Sequence, residues 1–180
     1  MEKRFSIRRA APSDWQGVLD CLREAFEPYR ERYTDLAFAD TVLTPATLQR
    51  RRSEMQILVA VEPANRVIGT VAFAVAGHEG HVRGMAVLPE YQGCGVAAAL
   101  LAQVEADLRG LNCVSVTLET TGLLIRAMHF YEKPGSPERQ RFYPSLAWSF
   151  WDIVKTFKDS DRRSTPTNDR RNGCFKASHE

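Results

Sequence analysis

The sequence MAVLPEYQGCGVA at Met85–Ala97 decides how this 180-residue chain folds. It reads as an apolar strand, then a short polar and aromatic turn, then two glycines that open a helix. Such a loop directs several backbone N–H groups at one point, with the positive end of the helix dipole behind them. The order of strand, glycine-containing loop and helix therefore predicts a phosphate-binding site.

The overall composition is that of an ordinary globular protein, with 44% hydrophobic residues, 26% charged residues and a net charge of +2. A charge this small gives no strong field, so no nucleic-acid partner is expected. No apolar run approaches the roughly 20 residues of a membrane helix, so no membrane partner is expected. The segment Met1–Phe5 lacks the apolar stretch of a signal peptide, which favours a cytoplasmic protein.

The four cysteines, Cys21, Cys94, Cys113 and Cys174, lie far apart in the sequence. Zinc sites and small disulfide frameworks use closely spaced pairs. The spacing therefore predicts neither a metal site nor a disulfide framework, and it favours a reducing cytosol.

Hydrophobic periodicity predicts a single α/β domain over residues 1–157, followed by a polar, disordered tail at 158–180. Helices are predicted at 12–27, 45–52, 96–110 and 123–132, and strands at 5–8, 57–61, 67–75, 81–87, 113–118, 141–143 and 150–156. Residues 29–40 are predicted to be irregular. Short turns between the second, third and fourth strands predict an antiparallel meander. The helix after the glycine loop predicts that the strands on either side of it run parallel.

The glycine loop has two other interpretations. Gly93 and Gly95 can simply supply a flexible connection between a strand and a helix. Alternatively, residues 93–98 fit the G-x-G-x-x-A dinucleotide pattern, with Glu119 about 20 residues further on, which would indicate an NAD(P)-dependent oxidoreductase. Against that alternative, residues 88–92 separate the strand from the first glycine, and the preceding strands look like a meander rather than a βαβ series.

Two motifs in order resemble the GNAT superfamily of acyl-CoA-dependent N-acyltransferases. Gln92-x-x-Gly95-x-Ala97 is similar to the family's (Q/R)-x-x-G-x-(G/A) loop, and AMHFYEK at 127–133 is similar to its later A-x-x-(F/L)-Y-x-(R/K) segment. The order of predicted elements matches as well. The resemblance implies a mixed, mostly antiparallel twisted sheet of about six or seven strands flanked by about four helices.

The resemblance also implies acetyl-CoA as the acyl donor. Its pyrophosphate would be held by backbone amides of the loop, and its pantetheine arm would pair with the strand edge before the loop. The residues so assigned are Met85, Ala86, Val87, Gln92, Gly93, Cys94, Gly95, Val96, Ala97 and Ala98. The two parallel strands would splay to admit the thioester.

Acyl transfer to an amine needs a base, because a simple alkylamine is mostly protonated at neutral pH. His81 is the candidate base, directly or through water, since histidine side chains ordinarily titrate near pH 6.5. A solvated histidine beside a turn is the alternative interpretation. Glu79 and His78 on the turn, and Glu119 at the next strand end, are weaker candidates for the same role.

Tyr131 is the candidate general acid, because the resemblance directs its hydroxyl at the coenzyme A sulfur. A phenol with a pKa of about 10 can protonate a departing thiolate. Packing in the core is the alternative role for a helix aromatic at this position.

The acceptor site is expected near residues 25–47, which vary most within the superfamily. Tyr29, Tyr33 and Glu119 are the candidate substrate-binding residues. An aromatic and acidic lining would suit a cationic amine, although the same residues also fit an ordinary surface.

The sequence therefore predicts an N-acetyltransferase that acts on a primary amine, in a small molecule or a peptide, by direct attack in a ternary complex. A non-catalytic acyl-CoA-binding module with the same fold is a further alternative. A homodimer paired through edge strands near the C-terminus is left open.

Overall fold

The computed structural model describes residues 4–121, 138–144 and 149–157. Its strands are β1 (Ser6–Arg9), β2 (Gln56–Val61), β3 (Val67–Ala76), β4 (Glu79–Val87), β5 (Ser115–Thr121), β6 (Glu138–Pro144) and β7 (Ser149–Thr156). They form one seven-stranded sheet in the order β1-β2-β3-β4-β5-β7-β6. Neighbouring strands are antiparallel except β4 and β5, which are parallel. The mixed, mostly antiparallel sheet and its parallel crossover are confirmed.

Within the described ranges, four α-helices accompany the sheet: α1 (Trp15–Phe26), α2 (Asp35–Thr41), α3 (Pro45–Glu54) and α4 (Val96–Gly110). Short 3₁₀ turns occupy Pro12–Asp14, Glu27–Arg32 and Pro89–Tyr91. The predicted helix at 123–132, with the motif around Tyr131, and the predicted tail at 158–180 lie outside the described residues.

The helix α1 packs on β3 and β4, and α4 packs on β2, β3 and β4. The core is centred on the strands β2 and β3. These strands read as continuous apolar runs because both of their faces are covered. Fully buried side chains come from the sheet and from α4, among them Val59, Ile68, Val71, Phe73, Leu100 and Leu108. The long apolar face of α4 therefore packs on the sheet. This packing fixes the position of the helix and of the loop that precedes it.

The prediction that residues 29–40 are irregular is wrong for their second half, which forms α2. Thr34 caps this helix, its hydroxyl accepting from the N–H of Ala37 at 3.5 Å. The helix has no buried residue, so it shows no apolar periodicity, and the Thr34-Asp35 capping signal was the available clue.

The predicted strand borders are shifted by one to three residues. β4 begins at Glu79 rather than at His81, so Glu79 belongs to the strand and not to the preceding turn. β5 begins at Ser115 rather than at Cys113 and continues to Thr121. Among the helices of the described ranges, none is long and apolar enough to cross a membrane.

Candidate functional site

The loop between β4 and α4 has a backbone shape that depends on its glycines. Gly93 has a φ of +78° and Gly95 has a φ of +82°. Gly95 is the N-cap of α4 in the left-handed conformation, which costs other residues free energy because their Cβ crowds the backbone. A Cβ at either glycine would meet nothing within 4 Å, so there is open space above the loop.

The first turn of α4 supplies the available backbone donors of this loop. The first helical bond runs from the N–H of Ala99 to the carbonyl of Gly95 at 3.0 Å. The N–H groups of Val96, Ala97 and Ala98 precede that bond and have no acceptor within the helix. The first turn also contains no acidic residue. A phosphate fits this position, since it would accept from the free amides at the positive end of the helix dipole.

Two of the loop amides assigned to the pyrophosphate instead shape the loop. The N–H of Gln92 donates to the carbonyl of Pro89 at 3.2 Å, and the N–H of Cys94 donates to that of Tyr91 at 3.2 Å. The thiol of Cys94 is exposed and lies 3.9 Å from the carbonyl oxygen of Gln92. The backbone amides that remain available to an anion therefore include those of Val96, Ala97 and Ala98 at the start of α4, whereas those of Gln92 and Cys94 already donate within the loop.

Side chains tie the loop to the hairpin between β2 and β3. The hydroxyl of Tyr91 donates to Oε2 of Glu62 at 2.6 Å, and this hydrogen bond raises the pKa of the Tyr91 phenol. Arg66 forms an ion pair with Glu90 at 2.9 Å. The amide of Gln92 reaches back to the carbonyl of Val87 at 3.4 Å. These contacts hold the loop in one position relative to the sheet.

A slot opens between the two parallel strands. The pairing of β4 with β5 runs from Glu79 opposite Ser115 to Val82 opposite Leu118. Beyond that point β4 carries a bulge against β3, where Gly84 has a φ of +62°. Within the described ranges, the pairing of β4 with β5 does not extend to Ala86 and Val87. An extended ligand arm can pair with this part of β4 as an added strand.

His81 lies on β4 inside the paired stretch, opposite Thr117 of β5. Its side chain is half-buried. Glu79 precedes it on the same face of the strand and accepts a hydrogen bond from the Thr117 hydroxyl. His81 precedes the bulge at Gly84 by three residues, about 10 Å along a strand. A proton exchanged between His81 and an amine at the bulge would therefore pass through water.

The other candidates for proton transfer are His78, Glu119 and Tyr131. His78 is exposed in the hairpin turn, and its carbonyl accepts from the N–H of Val114 at 2.8 Å. Glu119 is the first residue of β5 beyond its pairing with β4, and it pairs with Asp152 of β7. Tyr131 lies outside the described residues.

The aromatic residues of the expected acceptor region lie partly in the core. Tyr33 is 7% exposed and makes edge-on contacts with the rings of Phe26 and Phe38. Tyr29 is half-buried and packs against the core cluster. Tyr33 is therefore placed to support the walls of an acceptor site rather than its opening.

The acidic residues of that region are engaged by arginines. Asp35 pairs with Arg30, while Asp40 pairs with both Arg51 and Arg83. Sequence reasoning did not identify Arg51 or Arg83. No local pattern could have found them, because Arg83 and Asp40 are separated by 43 positions in the chain.

Comparison with known proteins gives a consistent picture. Residues 15–135 match the family model described as "Acetyltransferase (GNAT) family". The chain is 30% identical over 77 residues to "Acetyltransferase SG1711" of Sodalis glossinidius, which covers 43% of this chain and 54% of that protein. The chain spans about half the length of the curated relatives it matches.

Solved structures share the fold at low sequence identity. One is the PaiA N-acetyltransferase of Thermoplasma acidophilum in complex with coenzyme A, with a TM-score of 0.70, 16% identity, and coverage of 86% of this chain and 99% of that one. Another is the ribosomal-protein-S18-alanine N-acetyltransferase of Escherichia coli, with a TM-score of 0.62, 17% identity, and coverage of 84% and 92%.

Proposed function

Because the chain belongs to the GNAT family of acetyltransferases, we propose that it transfers an acetyl group from acetyl-CoA to a primary amine by direct attack in a ternary complex. One arrangement carries this proposal: a loop with free helix N-terminal amides directly follows a strand that leaves its parallel neighbour at a bulge. The first feature suits a pyrophosphate, and the second gives an extended thioester arm a place to lie.

Two sets of backbone groups in this chain would bind acetyl-CoA. The N–H groups of Val96, Ala97 and Ala98 would bind the pyrophosphate, and the edge of Met85–Val87 would pair with the pantetheine arm. Bound acetyl-CoA supplies a thioester carbonyl carbon that an amine can attack. A backbone N–H of Met85–Val87 would donate to the carbonyl oxygen as that oxygen gains negative charge.

Proton transfer is assigned to two side chains of β4 and to Tyr131. His81 would remove a proton from the ammonium group through water. Glu79, held by the Thr117 hydroxyl, is the second candidate for the same step. The family resemblance assigns Tyr131 to the protonation of the departing thiolate, which completes the balance of the reaction.

The sheet does not favour the dinucleotide alternative. A dinucleotide-binding fold begins with a parallel βαβ unit, and its strand runs directly into the first glycine. Here the four strands that precede the loop pair antiparallel with one another, and only β4 and β5 run parallel among the described strands.

The proposed acyl acceptor is a primary amine of a small molecule or of a peptide. The Escherichia coli neighbour is named for a ribosomal protein alanine, and the Thermoplasma neighbour is named only as an N-acetyltransferase. Our proposal includes a cytoplasmic location, because Cys21, Cys94 and Cys113 are free thiols. It also includes a homodimer paired through the edge strand β6, which the elution volume in size-exclusion chromatography would test.

The proposal is tested by incubating the protein with acetyl-CoA and a panel of amines: spermidine, tyramine, free lysine and a peptide with an N-terminal alanine. We expect an N-acetylated product from at least one amine, with no acetyl group on the protein itself. An acetylated protein that forms in the wild type and not in Cys94→Ser would overturn direct attack. Coenzyme A binding without any transfer would instead support the non-catalytic module.

A further inference from the structure

Three charged residues from three elements meet beside the bulge of β4. Arg83 of β4 donates to the carboxylate of Asp40 on α2. Arg51 of α3 lies 3.7 Å from the same carboxylate and donates to the backbone carbonyl of Asp40 at 3.2 Å. We call these three residues the Asp40 cluster.

The Asp40 cluster lies at the point where the slot opens. Arg83 is the first residue of β4 beyond its last pair with β5, and Gly84 follows it at the bulge. Nη1 of Arg51 lies 3.3 Å from the position that a Cβ on Gly84 would occupy. The cluster therefore touches the strand backbone next to the site proposed for the thioester.

The cluster is on the face of β4 that carries His81. Gly80 packs under Leu108 of α4, since a Cβ there would come within 2.3 Å of Leu108 Cδ1. Strand alternation then directs His81 and Arg83 to the opposite face. The ion pair between Arg83 and Asp40 therefore brings α2 to the His81 face of β4, at the start of the slot.

α2 has little else to hold it in place. The helix contains seven residues and none of them is buried, and Leu36 is 85% exposed. Its apolar contacts come from Ala37 and Phe38, which are partly buried against the core cluster. Phe38 packs edge-on against Tyr33 and under the guanidinium of Arg30. A helix this short is marginal without tertiary contacts. The position of α2 over the slot therefore depends strongly on the ion pairs of Asp40.

The three side chains of the Asp40 cluster differ in their exposure to solvent. The Arg51 side chain is 9% exposed, whereas those of Arg83 and Asp40 are 42% and 54% exposed. A buried guanidinium needs a charged partner, and Asp40 supplies it. The ion pair of the same carboxylate with Arg83 is exposed to solvent. It therefore contributes little stability and is weakened by salt.

We infer that the Asp40 cluster is a latch that holds α2 against the β4 bulge and so forms one wall of the acceptor site. This inference rests on the proposed acetyl transfer, because it assigns positioning residues to that site. Asp40 is the central positioning residue, and it acts on the acceptor through α2. The latch leaves the pyrophosphate loop untouched, because none of its members lies between residues 88 and 98.

Hydrogen exchange measured by mass spectrometry tests the latch without any acceptor. In Asp40→Asn, the amides of Asp35–Thr41 should exchange about three- to tenfold faster, the range expected when a partly exposed ion pair is lost from a network. Asp40→Glu should restore much of the protection. Arg50→Gln, which breaks the exposed Arg50–Glu54 pair on α3, should leave exchange in α2 unchanged.

A salt titration adds a readout that loss of packing would not produce. High salt should speed exchange of α2 in the wild type and have little effect on it in Asp40→Asn. Unchanged exchange in Asp40→Asn, or an equal salt response in both proteins, would overturn the latch.

The same variants separate the latch from the proposed activity. With the best amine of the panel, Asp40→Asn should raise the acceptor KM about three- to tenfold while kcat and the coenzyme A Kd stay within twofold. A loss of coenzyme A affinity in Asp40→Asn would contradict the latch. Failure of the wild type to bind coenzyme A would overturn the proposed function, whereas the exchange result would still decide whether Asp40 holds α2.

Discussion

Val82 of β4 and Leu118 of β5 form the last pair of the parallel register, and the two strands part directly after them. β5 stays paired with β7 as far as Thr121, while β4 turns through the bulge at Gly84. The slot is therefore built into the sheet itself. The candidate base His81 and the Asp40 cluster lie beside this point, and the pantetheine arm is proposed to bind there.

Charge placed at the start of α4 should remove donor binding. Gly95→Glu puts a carboxylate where the pyrophosphate is expected, and like charges a few ångströms apart repel by about 1 kcal/mol or more even near a protein surface. We expect coenzyme A binding, measured by isothermal titration calorimetry, to weaken at least about tenfold more than in Gly95→Gln.

Gly95→Gln is the matched control, because both variants carry the same strain at a φ of +82°. That strain should cost each protein about 1–2 kcal/mol of unfolding free energy. Equal coenzyme A affinities in the two variants would show that the pyrophosphate lies elsewhere.

Removal of the candidate base should slow chemistry and spare binding. His81→Ala should lower kcat by about 10²- to 10⁴-fold, the usual contribution of a general base, while the Kd of coenzyme A stays within about twofold.

Glu79→Gln is the companion variant, because Glu79 lies on the same face of β4 and is held by Thr117. A kcat that stays close to the wild-type value in His81→Ala and falls by about 10²-fold or more in Glu79→Gln would transfer the role of base to Glu79.

Two tyrosine variants should affect different properties, one the turnover rate and the other the stability of the fold. Tyr131→Phe should lower kcat without changing the melting temperature, because the resemblance gives its hydroxyl a chemical role. Tyr91→Phe should lower the unfolding free energy by about 1–2 kcal/mol, because it removes a hydrogen bond to a carboxylate, and should leave kcat close to that of the wild type. If Tyr131→Phe kept full kcat on every accepted amine, the acid assignment would be wrong.

The junction of β1 and α1 should make folding depend on pH. Asp14 is 4% exposed, accepts two hydrogen bonds from Arg8 at 2.6 and 2.9 Å, and accepts from the N–H of Ala11 at 2.6 Å. The hydrogen bonds from Arg8 lower the pKa of Asp14. Since the folded-state pKa is the lower one, the stabilisation is complete above the unfolded-state pKa of about 3.9 and is lost as the pH falls through the folded value.

Urea denaturation of Asp14→Asn measures this contribution. At pH 7 the variant should unfold with about 2 kcal/mol less free energy than the wild type, a value discounted because Arg8 is partly exposed. The difference should shrink steadily below pH 4. A difference that stays constant down to pH 2 would show that the ionised carboxylate is not the stabilising group.

The features of the fold that the sequence predicted are those that can be recognised from the residue pattern within one short segment. The apolar runs of β2 and β3 and the tight turns between them specify an antiparallel meander, and the stripe from Val96 to Leu108 specifies α4. The glycines of the loop were identified for the same reason, since a left-handed N-cap requires Gly95.

The acceptor side could not be predicted in this way. α2 presents no buried residue, so burial left no periodic pattern in its sequence. Its place over the slot depends on contacts of Asp40 with Arg51 and Arg83, which come from separate elements. The capping residue Thr34 marks where the helix begins, but no local pattern shows what the helix packs against.

The most direct test of the central claim is a thermal-shift titration of the wild-type protein with acetyl-CoA, coenzyme A, NAD and NADP side by side. A ligand that binds only the folded protein stabilises it by about 2.7 kcal/mol at a hundredfold excess over its Kd. Our account predicts a rise in melting temperature with acetyl-CoA and coenzyme A and none with the nicotinamide cofactors. Stabilisation by NAD or NADP alone would contradict it and assign the glycine loop to a dinucleotide.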